Sequence, residues 1–191
     1  MKVFINPGHD TTYDSGAVNP NTGLRECDVA AEVGALVVDY LEAAGCECQI
    51  AQSDNLAPTP AGRSSYDDRQ GPTVTETAND WGADVFVSIH CNAANTEARG
   101  TEVECYDADS GNAGAQLAQC IQSQIVDALG TTDRGIKSRP GLLVLKYTDM
   151  PAVLVEMAFI DNDNDAALLT GKTDEFARAI ARGVTDYEQA L

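Results

Sequence analysis

His9 and His90 are the only two histidines in this 191-residue chain, and each follows a short apolar run. Lys2-Val3-Phe4-Ile5-Asn6 leads through Pro7-Gly8 into His9-Asp10, and Val85-Phe86-Val87-Ser88-Ile89 leads into His90. Runs of four to eight such residues read as strands of a buried sheet. A third run, Ala152-Val153-Leu154-Val155, ends in Glu156. In open α/β sheets the ligand site lies beyond the carboxyl ends of the strands, so the three run-ends point to one place. Zinc takes neutral imidazole nitrogens and carboxylate oxygens, and a catalytic site uses three protein ligands with the fourth position left to water. His9 and His90 supply two ligands. Glu26, at the end of a polar loop and the start of a helix, and Glu156, at a strand end, are both candidates for the third. The carboxylate left over is free to act as a general base, which completes a hydrolytic set.

Bland readings stand beside these. A single histidine at a strand end is more often a satisfied polar residue than a ligand, but two in matching positions shift the balance toward function. Glu26 alone is weak among 30 acidic residues. Glu156 is stronger, because an unpaired charge at the end of an apolar strand is expensive.

The elements needed to position these groups follow from periodicity. After the first strand, Thr11–Leu24 is a long polar surface loop beside the site. Asp28–Ala44 has helical spacing, with Gly45 as its stop. Glu47–Ala51 reads as a strand, Asp54–Pro72 as a second loop, either site-facing or lid-like, and Thr75–Trp81 as a short helix. The central strand lies within Asp84–Ala93. Thr101–Tyr106 alternates as a strand with Val103 and Cys105 on one face. Ala113–Leu129 is an amphipathic helix stopped by Gly130. Thr131–Gly141 reads as a polar loop, Leu142–Lys146 as a strand, and Asn164–Leu169 as a short helix. Thr173 reads as the N-cap of a last helix whose inner face is Phe176, Ile180, Val184 and Tyr187. Strands alternating with helices imply a largely parallel α/β sheet flanked by helices on both sides, in a single domain over residues 1–191.

Composition narrows the partners. A net charge of −18, from 12 basic and 30 acidic residues, argues against nucleic acid, whose phosphates demand clustered Lys and Arg. No apolar run approaches the roughly 20 residues that span a bilayer, so no membrane partner is expected. No charged segment followed by an apolar one precedes the first strand, so no signal peptide is read. The six cysteines include no Cys-x-x-Cys pair and are expected as reduced, mostly buried thiols.

The same residues carry a family resemblance. Asn6-Pro7-Gly8-His9, Asp14-Ser15-Gly16-Ala17, Glu26 and Ser88-Ile89-His90-Cys91-Asn92-Ala93 come first. Gly100-Thr101-Glu102-Val103, Arg134-Gly135-Ile136-Lys137, Leu143-Val144-Leu145 and Pro151–Asn162 follow. In this order, and spanning almost the whole chain, they resemble the zinc-dependent N-acetylmuramoyl-L-alanine amidases of the amidase-3 type, found in bacterial autolysins and phage endolysins. The resemblance implies a twisted six-stranded sheet and one zinc ion per chain held by His9, Glu26 and His90. It implies Glu156 as the catalytic glutamate and a muramoyl-peptide of peptidoglycan as substrate, cut at the amide joining N-acetylmuramic acid to L-alanine. Asn92 and Arg134 are candidate substrate-side residues, against their plain reading as turn formation and a structural ion pair. Two positions depart from the family pattern: Ala158 stands where glycine is usual, and no arginine precedes Ala78-Asn79, where Val74 and Thr75 stand.

Two alternatives compete. A zinc peptidase cutting within the stem peptide would use the same metal set, and a catalytically silent wall-binding domain would keep only the fold. Retention of both histidines and both glutamates argues against the second. The setting expected is the bacterial cell wall, reached as a holin-released endolysin, a spore mother-cell lysin or a catalytic domain excised from a longer protein. The acidic charge fits targeting by a separate wall-binding domain or protein.

Overall fold

The computed structural model describes residues 1–65 and 71–191. Its elements in chain order are β1 (Lys2–Pro7), α1 (Glu26–Ala43), β2 (Glu47–Ile50), α2 (Val74–Trp81), β3 (Val85–Asn92) and β4 (Thr101–Cys105). There follow α3 (Ala113–Leu129), β5 (Asp133–Ser138), α4 (Leu143–Lys146), β6 (Ala152–Phe159), α5 (Asp163–Gly171) and α6 (Thr173–Gln189). The six strands form one sheet in the order β2-β1-β3-β6-β4-β5. β2, β1, β3 and β6 are parallel, β4 runs antiparallel to β6, and β5 runs parallel to β4. The sheet is therefore mixed and largely parallel, as the alternation of elements implies.

Side-chain alternation divides the sheet into two unequal faces. Val3, Ile5, Val85, Val87, Ile89, Val103, Val153 and Val155 pack against α1, α3 and α6 in the main core. Phe4, Phe86 and Leu154 point the other way and meet the short helices α2 and α4, through Val74, Ala78, Val144 and Leu145, with loop residues such as Leu56 and Met150 packed alongside. The Phe4 and Phe86 rings stack there at 5.6 Å. Along this thinner face the strands turn polar: Asn6 follows Phe4, Ser88 and His90 follow Phe86, and Glu156 follows Leu154. The apolar half of each strand secures the sheet and the polar half furnishes the site.

Local signals explain the ends of α2 and α3. Thr73 and Glu76 form a reciprocal capping box at the start of α2, Asn112 caps α3, and left-handed Gly82 and Gly130 stop the two helices.

Four expectations need correction. Thr131–Gly141 is not a loop throughout, because Asp133–Ser138 is the edge strand β5. Its outer edge is solvated and Ile136 is its lone apolar residue, so no alternation betrays it, and the backbone ladder to β4 holds it. Leu142–Lys146 is not a strand; Leu143–Lys146 is a single helical turn whose Val144 and Leu145 close the second core. Four apolar residues are too few for periodicity to distinguish the two. Thr173 is the first residue of α6, not its cap; Lys172 occupies the cap position and makes no side-chain cap bond. The strands also do not stop at the site residues. β3 continues two residues past His90 and β6 three past Glu156, because Cys91 and Met157 carry on the alternation into the main core.

The lid-like reading of Asp54–Pro72 falls partly outside the described residues. Its described part is tied down: the Asn55 and Leu56 carbonyls accept from the Val74 and Thr75 amides, at 2.9 and 3.0 Å. All six cysteines are free thiols, with Cys27, Cys46, Cys91 and Cys105 buried. No helix of the described residues is long and apolar enough to cross a membrane.

Candidate active site

Glu26 opens α1, where the first-turn amides and the helix dipole favour a carboxylate, and it is 4% exposed. Backbone amides fix both of its oxygens: Ala17 N–H donates to Oε2 at 2.8 Å and Cys91 N–H to Oε1 at 2.9 Å. His9 Nε2 lies 3.0 Å from Glu26 Oε2, and His90 Nδ1 lies 3.0 Å from Oε1. One ligand atom from each of the three residues falls within 4.8 Å of the others, the only such group of three or more among the described residues.

The surroundings fix these three side chains. His9 sits at φ +64°, a left-handed conformation that a non-glycine residue holds only when its neighbours enforce it. Its other nitrogen, Nδ1, is 2.8 Å from Asp14 Oδ2, which sets the ring orientation. Gln52 Nε2 donates to the carbonyls of both Gly8 and Cys27, at 3.0 and 2.9 Å, clamping the residues beside His9 and Glu26. Gly8 and Gly16 leave room for the donors. A Cβ at Gly8 would stand 2.4 Å from His90 Cε1, and one at Gly16 would stand 2.5 Å from Glu26 Oε2.

Electrostatics follow from this packing. Burial works against a charged His9, but the hydrogen bonds and charges of Glu26 and Asp14 outweigh it and hold the imidazole up at about 9. Burial likewise disfavours a charged Glu26, yet the two imidazoles keep its carboxyl far below the usual range. Two imidazoles converging on a carboxylate that amides hold ionised are a donor set suited to a divalent ion such as zinc.

Glu156 is the register partner of His90 across β3 and β6, which places the two side chains on the same face of adjacent strands about 5 Å apart. Its Oε2 is buried and makes no hydrogen bond. Burial first, and then the charges of Glu26, Glu104 and Glu102, push its carboxyl well above the usual range. A group that takes and gives a proton near neutral pH is tuned in this direction.

Asn92 and Arg134 meet each other's partner. Asn92 Nδ2 donates to Glu102 Oε1 at 3.0 Å and Arg134 Nε to Glu102 Oε2 at 2.8 Å. Asn92, the last residue of β3, also accepts from the Ala93 amide at 2.9 Å. Arg134 forms the ion pair and also lies over the Phe159 ring at 4.8 Å. Glu102 is buried and faces Glu156 directly across the antiparallel β4–β6 pair. Sequence reading gave no role to Glu102, Glu104, Asp14 or Gln52, although Asp14 and Glu102 stand in the motifs that carry the resemblance. The Thr-Glu-Val-Glu-Cys pattern of β4 carried a signal, since it aims two carboxylates at the face opposite Val103 and Cys105, which is the site's face.

The chain matches the family profile described as N-acetylmuramoyl-L-alanine amidase, of the amidase-3 type, over residues 3–186. It is 34% identical over 188 residues to the N-acetylmuramoyl-L-alanine amidase LytC of Bacillus subtilis, covering 97% of this chain but 35% of that protein. It is 33% identical over 195 residues to the sporulation-specific N-acetylmuramoyl-L-alanine amidase of the same organism, covering 100% of this chain and 68% of that one. Among solved structures it is similar to the amidase AmiC2 of Nostoc punctiforme, with a TM-score of 0.81, 29% identity and coverage of 99% and 97% of the two chains. Profile, relatives and fold agree that this chain belongs to the amidase-3 family of N-acetylmuramoyl-L-alanine amidases.

Proposed function

We propose that this chain is a zinc-dependent N-acetylmuramoyl-L-alanine amidase, hydrolysing the amide between N-acetylmuramic acid and the L-alanine of the peptidoglycan stem peptide. His9, Glu26 and His90 are its ligands for one zinc ion and Glu156 is its catalytic residue. Family membership supports the reaction class. The observation that carries the site is the His9–Glu26–His90 convergence beside the buried, unpartnered Oε2 of Glu156.

Zinc held there supplies a Lewis acid and lowers the pKa of bound water toward neutrality. The chain's own residues do the remaining work. Asp14 orients His9, and the Ala17 and Cys91 amides keep Glu26 ionised and aimed inward. Glu156 takes a proton from the attacking water and returns it to the departing amine of L-alanine. Its burial beside three other carboxylates makes it ready to hold that proton between the two steps. We place the work of this domain at the bacterial cell wall, with any wall-targeting function carried by a separate domain or protein.

The test is hydrolysis of a purified muramoyl-peptide, read by mass spectrometry with zinc present and after chelation. Zinc-dependent release of a peptide beginning with L-alanine is expected. Cleavage within the peptide would retain the site and overturn the bond assigned, and equal turnover after complete removal of metal would overturn the cofactor.

A further inference from the structure

The chain is acidic almost everywhere, with 12 basic residues against 30 acidic ones, yet Asp133–Arg139 carries Arg134, Lys137 and Arg139 against one carboxylate. This segment is the edge strand β5 with the residue after it, two strands from the one that bears Glu156. A bulge shapes it. Thr101 pairs with Asp133 but Val103 pairs with Ile136, so β5 holds one extra residue, and Gly135 at φ +74° absorbs it. Bulges of this kind re-aim a side chain next to a functional site. Here the outcome is that Arg134 Nε reaches Glu102.

Arg139 repeats the arrangement one step along the sheet. Its Nε donates to Glu104 Oε1 at 2.8 Å. Glu102 and Glu104 are both buried and two residues apart in β4, so the arginines are anchored about 6.6 Å apart along one face. Each arginine spends only Nε on its glutamate. The terminal nitrogens of both make no hydrogen bond to any other described residue, and the side chains are 37% and 52% exposed. Two partly exposed guanidinium forks held by their Nε atoms, Arg134 also resting on the Phe159 ring, have terminal N–H groups left to bind a carboxylate through paired hydrogen bonds. Each ion pair is neutral overall, so recognition rests on fork geometry, and Lys137, in register with Glu104, adds the net positive charge.

We propose that Arg134 and Arg139 form a subsite for a carboxylate of the stem peptide on the C-terminal side of the L-alanine, and so set substrate specificity. The inference rests on the amidase reading above. In such a substrate the muramic acid carboxyl is consumed in the scissile amide, so the sugar side offers hydroxyls and amides while anionic groups belong to the peptide. A cationic shelf beside Glu156 on β4 and β5 therefore faces the peptide.

The test compares N-acetylmuramoyl-L-alanyl-D-glutamate with the analogue in which both free carboxylates of the D-residue are amides, each assayed with zinc-loaded wild type, Arg134→Gln, Arg139→Gln and Arg139→Lys. Hydrogen bonds to charged groups predict that wild type prefers the acid by about 10- to 100-fold in kcat/KM, through KM. Arg139→Gln and Arg134→Gln should bring the ratio near one, and Arg139→Lys, which keeps charge but loses the fork, should retain a minor part of it. The ratio is internal to each preparation, so partial unfolding of a variant cancels. An unchanged acid-to-amide ratio in both glutamine variants, or no preference in wild type, overturns the subsite while leaving the amidase reading intact. Wild type that releases no L-alanyl peptide from either compound overturns that reading, and the subsite with it.

Discussion

Replacing Glu156 separates holding the metal from using it. Glu156→Gln should keep zinc at full occupancy and lose about 10²- to 10⁴-fold in turnover, the range for a general acid–base group. His9→Ala should lose both, and metal content measured beside hydrolysis tells the two apart. Retained wild-type turnover in zinc-replete Glu156→Gln would remove the role assigned to Glu156. Asp14→Ala should weaken zinc binding about 10- to 100-fold while leaving Glu26 in place, because it unfastens His9 without removing a ligand. The proton on His9 gives a pH signature. Its pKa is raised from 6.5 to about 9 in the folded metal-free chain, so its stabilising contribution is complete below about pH 6.5 and is lost as pH rises through about 9. Metal must displace that proton, so the rise in melting temperature caused by zinc should grow over the same interval. Melting curves from pH 6 to 9.5, with and without chelator, measure both trends, and a zinc effect independent of pH would contradict them.

Strands and helices were legible in the sequence wherever one period persisted for several residues. α1, α3, α6 and the apolar halves of β1, β3 and β6 all lie where the spacing places them. The misread segments share a physical cause. β5 gains its order from a neighbour's backbone rather than from its own side chains, and α4 is one turn of a run too short to have a period. The site was legible for a related reason. His9, His90 and Glu156 stand in otherwise apolar contexts and announce themselves, whereas Glu102 and Glu104 hide within an alternation that looks like a solvated strand. Asp14 and Gln52 act through loop geometry that no periodicity encodes. Two glycines test how tightly the elements constrain the site. Gly16→Ala combines a left-handed φ of +63° with a Cβ that would press on both His9 and Glu26, so it should lose zinc affinity and thermal stability together. Gly135→Ala meets no neighbour and should cost only the left-handed backbone penalty, about 1–2 kcal/mol, read as a lower melting temperature with zinc content unchanged.

At the scale of the molecule, stability and chemistry are allotted to opposite faces of one sheet. Zinc at about 100 times its dissociation constant should add about 2.7 kcal/mol and raise the melting temperature by on the order of 5–10 °C for a chain of this size. A melting temperature unmoved by chelation would show that the trio does not couple to folding. Among the described residues, three long helices cover one side of the sheet, and the short helices α2 and α4 with a few loop residues cover the apolar end of the other. The site lies on this more thinly covered face, with the His9 and His90 side chains 24% and 19% exposed. A substrate that is part of an insoluble mesh cannot be swallowed by a deep pocket or turned to fit one. It can be approached by a flat working surface that lies down on it, and the sparse cover that the described residues give this half of the sheet lets the enzyme come to the wall.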